Sequence, residues 1–452
     1  MNAIAYITNK MFFKSKIKKL IPYQIISLYY LALAAAAAFY YGWPTKKMIV
    51  IGITGTKGKT SAANFIWSVL VAGGYKTGLI STANIRIGDT EMLNKYHMTM
   101  PGRFILQKLL NQMANAGCKF AIVETTSEGV KQWRHFGIIY DIAVFTNLHP
   151  EHLQAHGGIF EKYKEAKGKM FIALKNGKHK TIGGEEIKKI IIANYDDLHK
   201  EYFLNFPADK KITFGVVGQA DFQADKVQNT SNGLEFFVGS TLYDINTLGK
   251  FNVYNALPAI AIGSFFGIPK EKIQEGLENL KNIPGRMERI DEGQNFLVFV
   301  DYAHEKEGMN AVLDTARELV IKNSGKIVVL LGAEGGGRDR SKRSQLGEIA
   351  AKKADFVVIS NVDPYEDDPK EICENIAAAA ENPLTGGGKI RGRDLFVIED
   401  RREGIKKALS LARVNDVVLI TGKGSEQSII IGGKRYPWDD RVVVREELNK
   451  LK

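Results

Sequence analysis

The chain has 452 residues, 45% of them hydrophobic and 25% charged, which suits a globular protein of two or three domains. Its two cysteines, Cys118 and Cys373, lie far apart in the sequence. They offer no disulfide framework and no metal-ligand spacing, which fits a reducing cytoplasm. The net charge of +12 suits nucleic acid, a membrane surface or an anionic substrate, but no nucleic-acid-binding motif accompanies it. We therefore expect no nucleic-acid partner.

The N-terminal segment, residues 1–46, is first basic and then apolar. Residues 20–45 contain no charged side chain, and lysines flank this stretch on both sides. Its length would suffice to cross a bilayer, but the positive-inside rule would then export the rest of the chain. Three interpretations stay open: a helix packed on the protein or a partner, a membrane anchor, and a cleaved signal peptide without a convincing cleavage site.

The stretch IGITGTKGKT, residues 51–60, is the most informative part of the chain. An apolar run at 48–53 precedes it and a helical pattern at 61–72 follows, which is the strand–loop–helix context of a phosphate-binding loop. Backbone N–H groups and the helix dipole would face a polyphosphate. Lys59 would reach its terminal phosphates and the Thr60 hydroxyl would ligate Mg²⁺. The residues predicted to bind nucleotide here are Thr54, Gly55, Thr56, Lys57, Gly58, Lys59 and Thr60.

Apolar strand-like runs alternate with helical patterns up to residue 283. Strands are predicted at 120–124 and 142–145, and helices at 104–116, 160–174, 252–266 and 269–280. Residues 211–246 show short alternating segments and predict an antiparallel insertion. The alternation elsewhere indicates a mostly parallel sheet covered by helices.

A second block of the same kind begins at residue 284. Strands are predicted at 296–300, 326–331, 356–359, 395–398 and 417–420, and helices at 306–320, 344–353, 370–380 and 402–412. The fold class is therefore α/β, with a P-loop ATPase domain over 47–283 and a Rossmann-like α/β domain over 284–452.

Several polar residues outside the loop have two interpretations when the residues are taken alone. Glu124 ends a buried strand, where a carboxylate of a parallel sheet points into the ligand crevice or is simply solvated. His152 is either a metal ligand or a loop histidine, and Lys167 belongs to a basic helix face. Asn252 and Asn255, three apart at a helix start, lie on one face, where their amides could pair with adenine or Asn252 could cap the helix.

TGTKGKT resembles the ATP loop of the Mur ligases, which join amino acids to the peptide stem of bacterial cell-wall precursors. The folylpolyglutamate synthases share this kind of loop. Further strings resemble Mur ligase motifs and occur in the family's order: VETTSEG, FTNLHPEHLQAHGG, YKEAKGKMF, LGKFNVYNALPAIA, PGRMERI, VDYAHEKEGM and GAEGGGRDRSKR. The resemblance implies an ATP-dependent amide ligase that works through an acyl phosphate.

The resemblance also implies roles for individual residues. Two Mg²⁺ ions would be held by Thr60, Glu124, His152 and Lys167, the lysine being carbamylated. Nucleotide contacts would come from Asn147, Asn252, Asn255, Arg286 and Asp301, and catalytic contacts from Lys59, Lys167, Arg286 and His304. Acceptor and amino acid would meet Thr99, Thr126, Ser127, Arg134, Arg338, Asp363, Gly422 and Glu426.

Within the family, the chain most resembles the ligase that adds the third stem residue, diaminopimelate or lysine, to UDP-N-acetylmuramoyl-L-alanyl-D-glutamate. Tyr365 stands where diaminopimelate enzymes carry the Arg of D-N-P-R, and Ser425 stands where the family has His, so the amino acid stays open. The family's first domain is usually longer than 46 residues. The resemblance implies a UDP-linked muramoyl peptide as the acceptor, and the short first region adds the hypothesis of a lipid-linked one, in the cytoplasm or at the inner face of the membrane. A folylpolyglutamate synthase-like or other amide ligase and a non-catalytic partner protein are the alternatives.

Overall fold

The computed structural model describes residues 22–151, 153–230, 233–321, 324–385 and 387–451. His152 and the lysines of residues 1–21 lie outside this part of the chain. The helices are α1 Tyr23–Tyr40, α2 Lys59–Ala72, α3 Arg103–Asn115, α4 Ser127–Lys131, α5 Phe160–Asn176, α6 Lys200–Leu204, α7 Phe251–Phe265, α8 Lys270–Glu278, α9 Lys306–Ile321, α10 Ser341–Lys353, α11 Pro369–Glu381, α12 Arg401–Leu411 and α13 Asp440–Lys450.

The strands begin with the P-loop strand β1. They are β1 Ile49–Thr54, β2 Thr77–Ile80, β3 Asn84–Ile87, β4 Thr90–Leu93, β5 Phe120–Glu124, β6 Ile142–Phe145, β7 Lys180–Ile182, β8 Glu185–Ile187, β9 Ile190–Asn194, β10 Lys210–Gly215, β11 Phe222–Asn229, β12 Leu234–Val238, β13 Thr241–Ile245, β14 Glu288–Ile290, β15 Leu297–Asp301, β16 Ile327–Leu331, β17 Phe356–Ile359, β18 Leu395–Val397, β19 Val417–Thr421, β20 Ser428–Ile431 and β21 Lys434–Pro437.

The first sheet follows the order β13-β12-β11-β10-β9-β6-β1-β5-β2-β3-β4. Its middle is parallel, and the pairs at either end, β2-β3-β4 and β11-β12-β13, are antiparallel. Ile53 pairs with Glu124 on β5, and Thr54 pairs with Phe145 on β6. The carboxyl ends of β1, β5 and β6 therefore meet at one edge, where the loops that follow them lie together.

Successive side chains of β1 enter two different hydrophobic cores, as the two-residue period of a strand requires. Ile49, Ile51 and Ile53 pack with side chains of α2, α7 and α8 on one face of the sheet. Val50 packs with side chains of α3 and α5 on the other face. Because both faces are covered, every residue of β1 is buried, which explains its uninterrupted apolar sequence.

The second sheet has the order β14-β15-β19-β16-β17-β18, in which β14 is antiparallel and the remaining pairs are parallel. Helices α9, α10 and α11 contribute to the core on one face, and α12 and α13 to the core on the other. The predicted α/β class, with a P-loop sheet and a separate C-terminal α/β domain, is confirmed. The boundary between residues 283 and 284 stays a prediction.

The predicted antiparallel insertion over 211–246 is wrong at its first strand. β10 runs parallel to β9, with Ile212 opposite Ile192, and only β11–β13 form antiparallel pairs. The buried side chains Ile212 and Phe214 bring β10 into the central sheet. The short alternating segments of residues 211–246 predict an antiparallel insertion, but they do not reveal that the first of them pairs with β9.

Helix α1 packs along one face on the central domain. Ala34, Ala37 and Ala38 are buried there, and the Trp133 indole N–H donates to the Ser27 hydroxyl at 2.8 Å. The Arg103 guanidinium lies 4.0 Å from the centre of the Tyr30 ring. By length and composition alone, Tyr23–Tyr40 would suffice to cross a membrane, although one or two such helices are weak evidence of a span.

Candidate active site

The loop between β1 and α2 depends on two glycines. Gly55 has φ +150° and Gly58 has φ +78°, a region that residues with a Cβ rarely adopt. A Cβ on Gly55 would overlap the Thr146 hydroxyl, and one on Gly58 would overlap the Asn255 side-chain oxygen. The loop is therefore held close to its neighbours and leaves its backbone available at the start of α2.

Residues that follow β6 form hydrogen bonds with this loop. The Lys57 N–H donates to Asn147 Oδ1 at 2.8 Å, and the Thr56 N–H donates to the Asn147 carbonyl at 2.8 Å. The Thr146 hydroxyl donates to the Lys57 carbonyl at 2.7 Å. Thr54 ends β1, and its side chain is buried directly before the loop. Asn147, predicted to lie near the nucleotide, contacts the loop that would bind it.

Two lysines approach the loop from different helices. Lys59 Nζ, at the start of α2, donates to the Thr56 carbonyl at 2.8 Å. Lys167 Nζ, on α5, donates to the Gly55 carbonyl at 2.6 Å, and this lysine is buried. Desolvation lowers the pKa of both amines, and the neighbouring Lys59 charge lowers that of Lys167 further. An anion between them would be strongly favoured.

The hydroxyl groups of Thr60 and Thr82 lie beside the carboxylate of Glu124. The Thr60 hydroxyl donates to Glu124 Oε2 at 2.9 Å, and both residues are buried. The Thr82 N–H donates to the same oxygen at 2.8 Å. The Thr82 hydroxyl contacts Glu124 Oε1 at 3.0 Å and the Thr99 hydroxyl at 2.7 Å. Thr99, predicted to touch substrate, is thus joined to Glu124 through one residue.

The C-terminal domain contributes an arginine to this site. Arg286 Nη2 donates to the Thr60 hydroxyl at 3.3 Å, and its guanidinium lies 4.5 Å from the centre of the Tyr302 ring. Asp301, at the end of β15, accepts hydrogen bonds from the N–H groups of Met287 and Ala303, both at 2.7 Å. Burial raises the pKa of the Asp301 carboxyl. This carboxylate fixes the backbone beside Arg286 in addition to its predicted contact with ribose.

The first turn of α7 carries the two asparagines predicted to meet adenine. Asn255 Nδ2 donates to Asn252 Oδ1 at 2.8 Å, and Asn252 Nδ2 donates to the Leu248 carbonyl at 2.7 Å. Both side chains are buried, and that of Asn255 lies against Gly58. The amides therefore form a chain that ends at the phosphate-binding loop.

A cluster of acids and bases lies between the two domains. The ligand atoms of Glu151, His304 and Glu305 lie within 4.8 Å of one another. Lys57 Nζ is 2.5 Å from Glu151, and Lys342 Nζ is 3.4 Å from Glu305. Burial, together with Lys342, lowers the pKa of His304 to about 3. His304, predicted to be catalytic, is therefore a neutral imidazole within an ion-pair network.

Three of the predicted substrate contacts lie around the short helix α4. The Thr126 hydroxyl accepts from the Gly129 N–H at 3.1 Å and caps this helix. Ser127 Oγ lies 3.1 Å from His156 Nε2 in a buried contact. Arg134 donates to the Met100 carbonyl and, at 2.7 Å, to Gln132 Oε1.

The predicted substrate contacts of the C-terminal domain lie at the carboxyl ends of β16, β17 and β19. Arg338 lies 3.7 Å from Glu334 and is hydrogen-bonded to the Tyr365 side chain. Gly422, with φ +108°, follows β19.

Lys423 connects two of the predicted residues. Its Nζ contacts Asp363 at 2.7 Å and Glu426 at 2.6 Å. His97 of the central domain contacts both Glu426 and Ser428. The two domains therefore meet at this end of the site as well as at Arg286.

The comparisons with known proteins agree along most of the chain. The profile described as the Mur ligase middle domain matches residues 53–263, and that of the Mur ligase glutamate ligase domain matches residues 285–424. The UDP-N-acetylmuramyl-tripeptide synthetase of Roseiflexus sp. (strain RS-1) is 37% identical over 428 residues, 93% of this chain and 82% of that protein. The chain belongs to the Mur ligase family.

Two further relatives agree with this assignment. The UDP-N-acetylmuramoyl-L-alanyl-D-glutamate–2,6-diaminopimelate ligase of Geobacillus kaustophilus (strain HTA426) is 36% identical over 429 residues, 94% of this chain and 84% of that protein. A solved structure of a ligase of the same name superposes with a TM-score of 0.60 and 29% identity, covering 90% of this chain and 79% of that one. The predicted family and its reaction class, ATP-dependent amide-bond formation in peptidoglycan synthesis, are confirmed.

In this Mur ligase, most of the predicted residues of the central domain lie near the edge where the carboxyl ends of β1, β5 and β6 meet. Sequence analysis missed four residues that connect them: Thr82, Tyr163, Glu151 and Glu305. The Tyr163 hydroxyl lies 3.0 Å from the Thr56 hydroxyl, one helical turn before Lys167 on α5. That spacing was the available signal, since residues four apart on a helix share a face. His152 lies outside the described residues, so its role as a metal ligand stays a prediction.

Proposed function

We propose that this Mur ligase adds an amino acid to a muramoyl-peptide precursor through an acyl phosphate. The observation that carries the proposal is the convergence of Lys59, Lys167 and the Thr60–Glu124 pair on the loop after β1. The amines of Lys59 and Lys167, which come from two helices, contact the phosphate-binding loop. The oxygen donors of Thr60 and Glu124 lie beside them. Such preorganised charge is the main requirement for phosphoryl transfer.

The reaction has two steps. A carboxylate of the acceptor attacks the γ-phosphorus of ATP, the bond to the β–γ bridging oxygen breaks, and ADP leaves. The amine of the amino acid then attacks the acyl carbon, inorganic phosphate leaves, and the nitrogen loses a proton. Lys59 and Arg286 would offset charge on the phosphoryl group, and the meeting of the two domains would position the amine.

Two Mg²⁺ ions are part of the proposal. The Thr60 hydroxyl and the Glu124 carboxylate are hard oxygen donors 2.9 Å apart, of the kind that Mg²⁺ prefers. They would hold one ion, and a carbamylated Lys167 with His152 would hold the other. When bound, the ions would neutralise negative charge on the phosphates.

Carbamylation of Lys167 has a physical basis in its surroundings. The reaction needs a neutral amine, and burial beside Lys59 lowers the pKa of the Lys167 amine. The ammonium loses one proton to give this amine, and addition of CO₂ to Nζ releases a second, so that an anion replaces a cation in the lysine-lined space. We expect a carbamate carbon signal by NMR after incubation with ¹³C-bicarbonate. Its presence at equal strength in Lys167→Arg would contradict the assignment.

The metal role of Glu124 can be measured separately. Glu124→Gln keeps the side chain's size and an oxygen for Thr60 but removes the charge. We expect the Mg²⁺ concentration that gives half-maximal ADP release to rise at least about tenfold, the scale on which loss of metal-site groups acts. Glu128→Gln, an exposed residue on α4, serves as the control. Equal Mg²⁺ dependence in both variants would contradict the role.

The relatives' names point to the acceptor. They describe a muramyl-tripeptide synthetase and ligases that act on UDP-N-acetylmuramoyl-L-alanyl-D-glutamate and 2,6-diaminopimelate. We propose the same UDP-linked dipeptide, or its lipid-linked equivalent, as the acceptor. The amino acid stays open, because Tyr365 contacts Arg338 at the predicted amino-acid site and offers no positive charge of its own.

ADP release from UDP-N-acetylmuramoyl-dipeptide, measured with a panel of amino acids, tests the proposal. We expect release with at least one amino acid, loss of release in Lys59→Ala, and full release in the exposed control Lys47→Ala. Release only with pteroylglutamate acceptors would favour the folylpolyglutamate synthase-like alternative. No release with any pair would favour a non-catalytic partner protein.

The location belongs to the proposal as well. We place the enzyme in the cytoplasm, attached to the inner face of the membrane through residues 20–45. Helix α1 lies beside the loop that carries Arg134, a predicted acceptor contact, since Trp133 bonds to Ser27. A lipid-linked acceptor should therefore support faster ADP release than the UDP-linked one in the presence of vesicles. Equal rates on both would contradict the lipid-linked acceptor.

A further inference from the structure

The outer face of α1 carries exposed large apolar side chains near both of its ends. We call Ile25, Leu28, Tyr29, Phe39 and Tyr40 the N-terminal stripe. They are 59% to 75% exposed, and the exposed small residues Ala32 and Ala36 lie between them. Their spacing of three, four, seven and eleven residues places them along one side of a helix. An exposed row of this kind on a folded domain marks a binding surface.

We propose that the N-terminal stripe docks on an anionic lipid bilayer, with α1 lying in the plane of the membrane surface. An interfacial helix needs one face in lipid and one face away from it. In this chain the second face is supplied by the protein, because Ala34, Ala37 and Ala38 are buried against the central domain. The helix therefore needs no charged face of its own.

Contacts on the inner face favour an in-plane helix over a spanning one. Tyr23 OH donates to the Lys131 carbonyl at 3.2 Å, and Ser27 accepts from the Trp133 indole at 2.8 Å. Arg103 stacks on the ring of Tyr30. A helix that crossed the bilayer would leave all of these groups and place the buried alanine face in lipid. The aromatic rings Tyr29, Phe39 and Tyr40 suit the interface between headgroups and acyl chains.

The charge around α1 selects an anionic surface. Residues 1–47 contain no aspartate or glutamate, and the lysines in this range are Lys10, Lys14, Lys16, Lys18, Lys19, Lys46 and Lys47. Lys46 and Lys47, directly after the helix, are exposed. Such lysines attract anionic headgroups. Lys46 and Lys47 also oppose a second copy as the occupant where facing stripes would bring these like charges together.

The apolar surface extends beyond α1. The ring of Phe104, which is 43% exposed, lies 6.5 Å from that of Tyr40. Met98, 44% exposed, contacts Arg134. The bilayer would therefore lie beside the loop that the proposed function assigns to the acceptor. Docking rests on the membrane attachment given in the proposed function, and not on the identity of the acceptor.

Flotation of the full chain with vesicles tests the proposal. We expect the protein to float with vesicles of equal phosphatidylglycerol and phosphatidylcholine, and at least tenfold less with phosphatidylcholine alone. The double variant Leu28→Glu/Phe39→Glu should lower its partition into anionic vesicles at least tenfold. Leu198→Glu/Leu384→Glu, which adds the same charges at two highly exposed leucines elsewhere, is the matched control and should float like the parent.

Four outcomes would overturn the proposal. The stripe variant could float like the control, or the parent chain could fail to float. A parent chain that resists alkaline extraction from the vesicles would indicate a spanning helix. A dimer in solution that Leu28→Glu/Phe39→Glu makes monomeric would indicate a second copy as the occupant. ADP release and thermal unfolding without vesicles, unchanged in the stripe variant, would show that a loss of flotation is not a loss of folding.

Discussion

Lys59 and Lys167 illustrate how single residues define this site. Both amines lie against carbonyls of the phosphate-binding loop, at 2.8 Å and 2.6 Å, and both lose hydration there. Two cations held this close in a desolvated space are unfavourable until an anion joins them. ATP phosphate beside Lys59 and a carbamate on Lys167 would each relieve that repulsion. The two lysines therefore favour the binding of anions that the protein alone does not supply.

His135 gives a stability prediction at the same scale. It is buried and stacks on Trp133 with ring centres 5.9 Å apart. Burial, with a smaller contribution from Lys169, lowers its pKa to about 4, whereas an unfolded histidine titrates near pH 6.5. The unfolded state therefore binds the proton first as pH falls. Stability that is present above pH 6.5 should be lost between pH 6.5 and 4, by up to about 3 kcal/mol.

Urea unfolding at pH 7 and pH 4.5 measures this contribution. Other groups also titrate in this range, so the comparison is between the parent chain and His135→Phe, which keeps a ring against Trp133 but carries no titratable nitrogen. We expect the loss of unfolding free energy between the two pH values to be smaller in the variant by about 2–3 kcal/mol. Equal losses in both proteins would mean that His135 is accessible to protons in the folded state.

At the scale of elements, the loop after β1 depends on Gly58. A residue with a Cβ at φ +78° costs about 1–2 kcal/mol, and at this position the Cβ would also overlap Asn255 Oδ1. Gly58→Ala should therefore displace the loop from α7. We expect the dissociation constant for ATP to rise at least tenfold, measured by calorimetry on the folded variant.

Gly74→Ala is the matched control for this change. Gly74 follows α2 with φ +84°, and nothing lies within 4 Å of the Cβ it would gain. It carries the backbone strain without the overlap, so its ATP affinity should equal that of the parent chain while its thermal stability falls slightly. Equal ATP affinity in Gly58→Ala and Gly74→Ala would show that the contact with Asn255 does not hold the loop.

The elements differ in how well the sequence predicts them. β5 and β6 were predicted to the residue, because both are apolar runs buried on both faces of a parallel sheet. The hairpin β20–β21 was missed, since β21 is exposed throughout and has no core-facing pattern. Helix α13 was missed as well, although Asp439 caps its first turn. An exposed strand such as β21 gives no buried positions to establish a period, and in α13 three of the six buried residues are charged, Asp440, Arg441 and Glu447, which weakens its apolar pattern.

Contacts within the site were less predictable than its elements. Motif order indicated the roles of Lys59, Glu124 and Arg286 because each follows a strand or a glycine turn. Thr82 has no motif, and it joins Glu124 to Thr99 only because β2 and β5 are neighbours in the sheet. His97 reaches Ser428 across 331 residues. The first contact depends on the order of strands in the sheet and the second on how the two domains meet. Local periodicity of the sequence encodes neither.

At the scale of the whole molecule, Arg286 connects the two domains at the reacting end of the site. It belongs to the segment before β14 and reaches the Thr60 hydroxyl at 3.3 Å, while its guanidinium lies on Tyr302. A cation in this position would act on the transferred phosphoryl group more than on bound ATP, because charge shifts there as the phosphoryl group moves. Loss of one such donor typically lowers kcat about 100-fold to 1,000-fold.

Arg286→Ala should therefore lower kcat for ADP release about 100-fold while the KM for ATP changes less than about threefold. Arg289→Ala, three residues later and paired only at the surface with Asp291, is the control and should keep the parent kcat. A large rise in KM with kcat unchanged would place Arg286 in ground-state nucleotide binding. Its contact with Thr60 would then be a feature of the resting enzyme, and closure of the two domains would need another residue to complete the site.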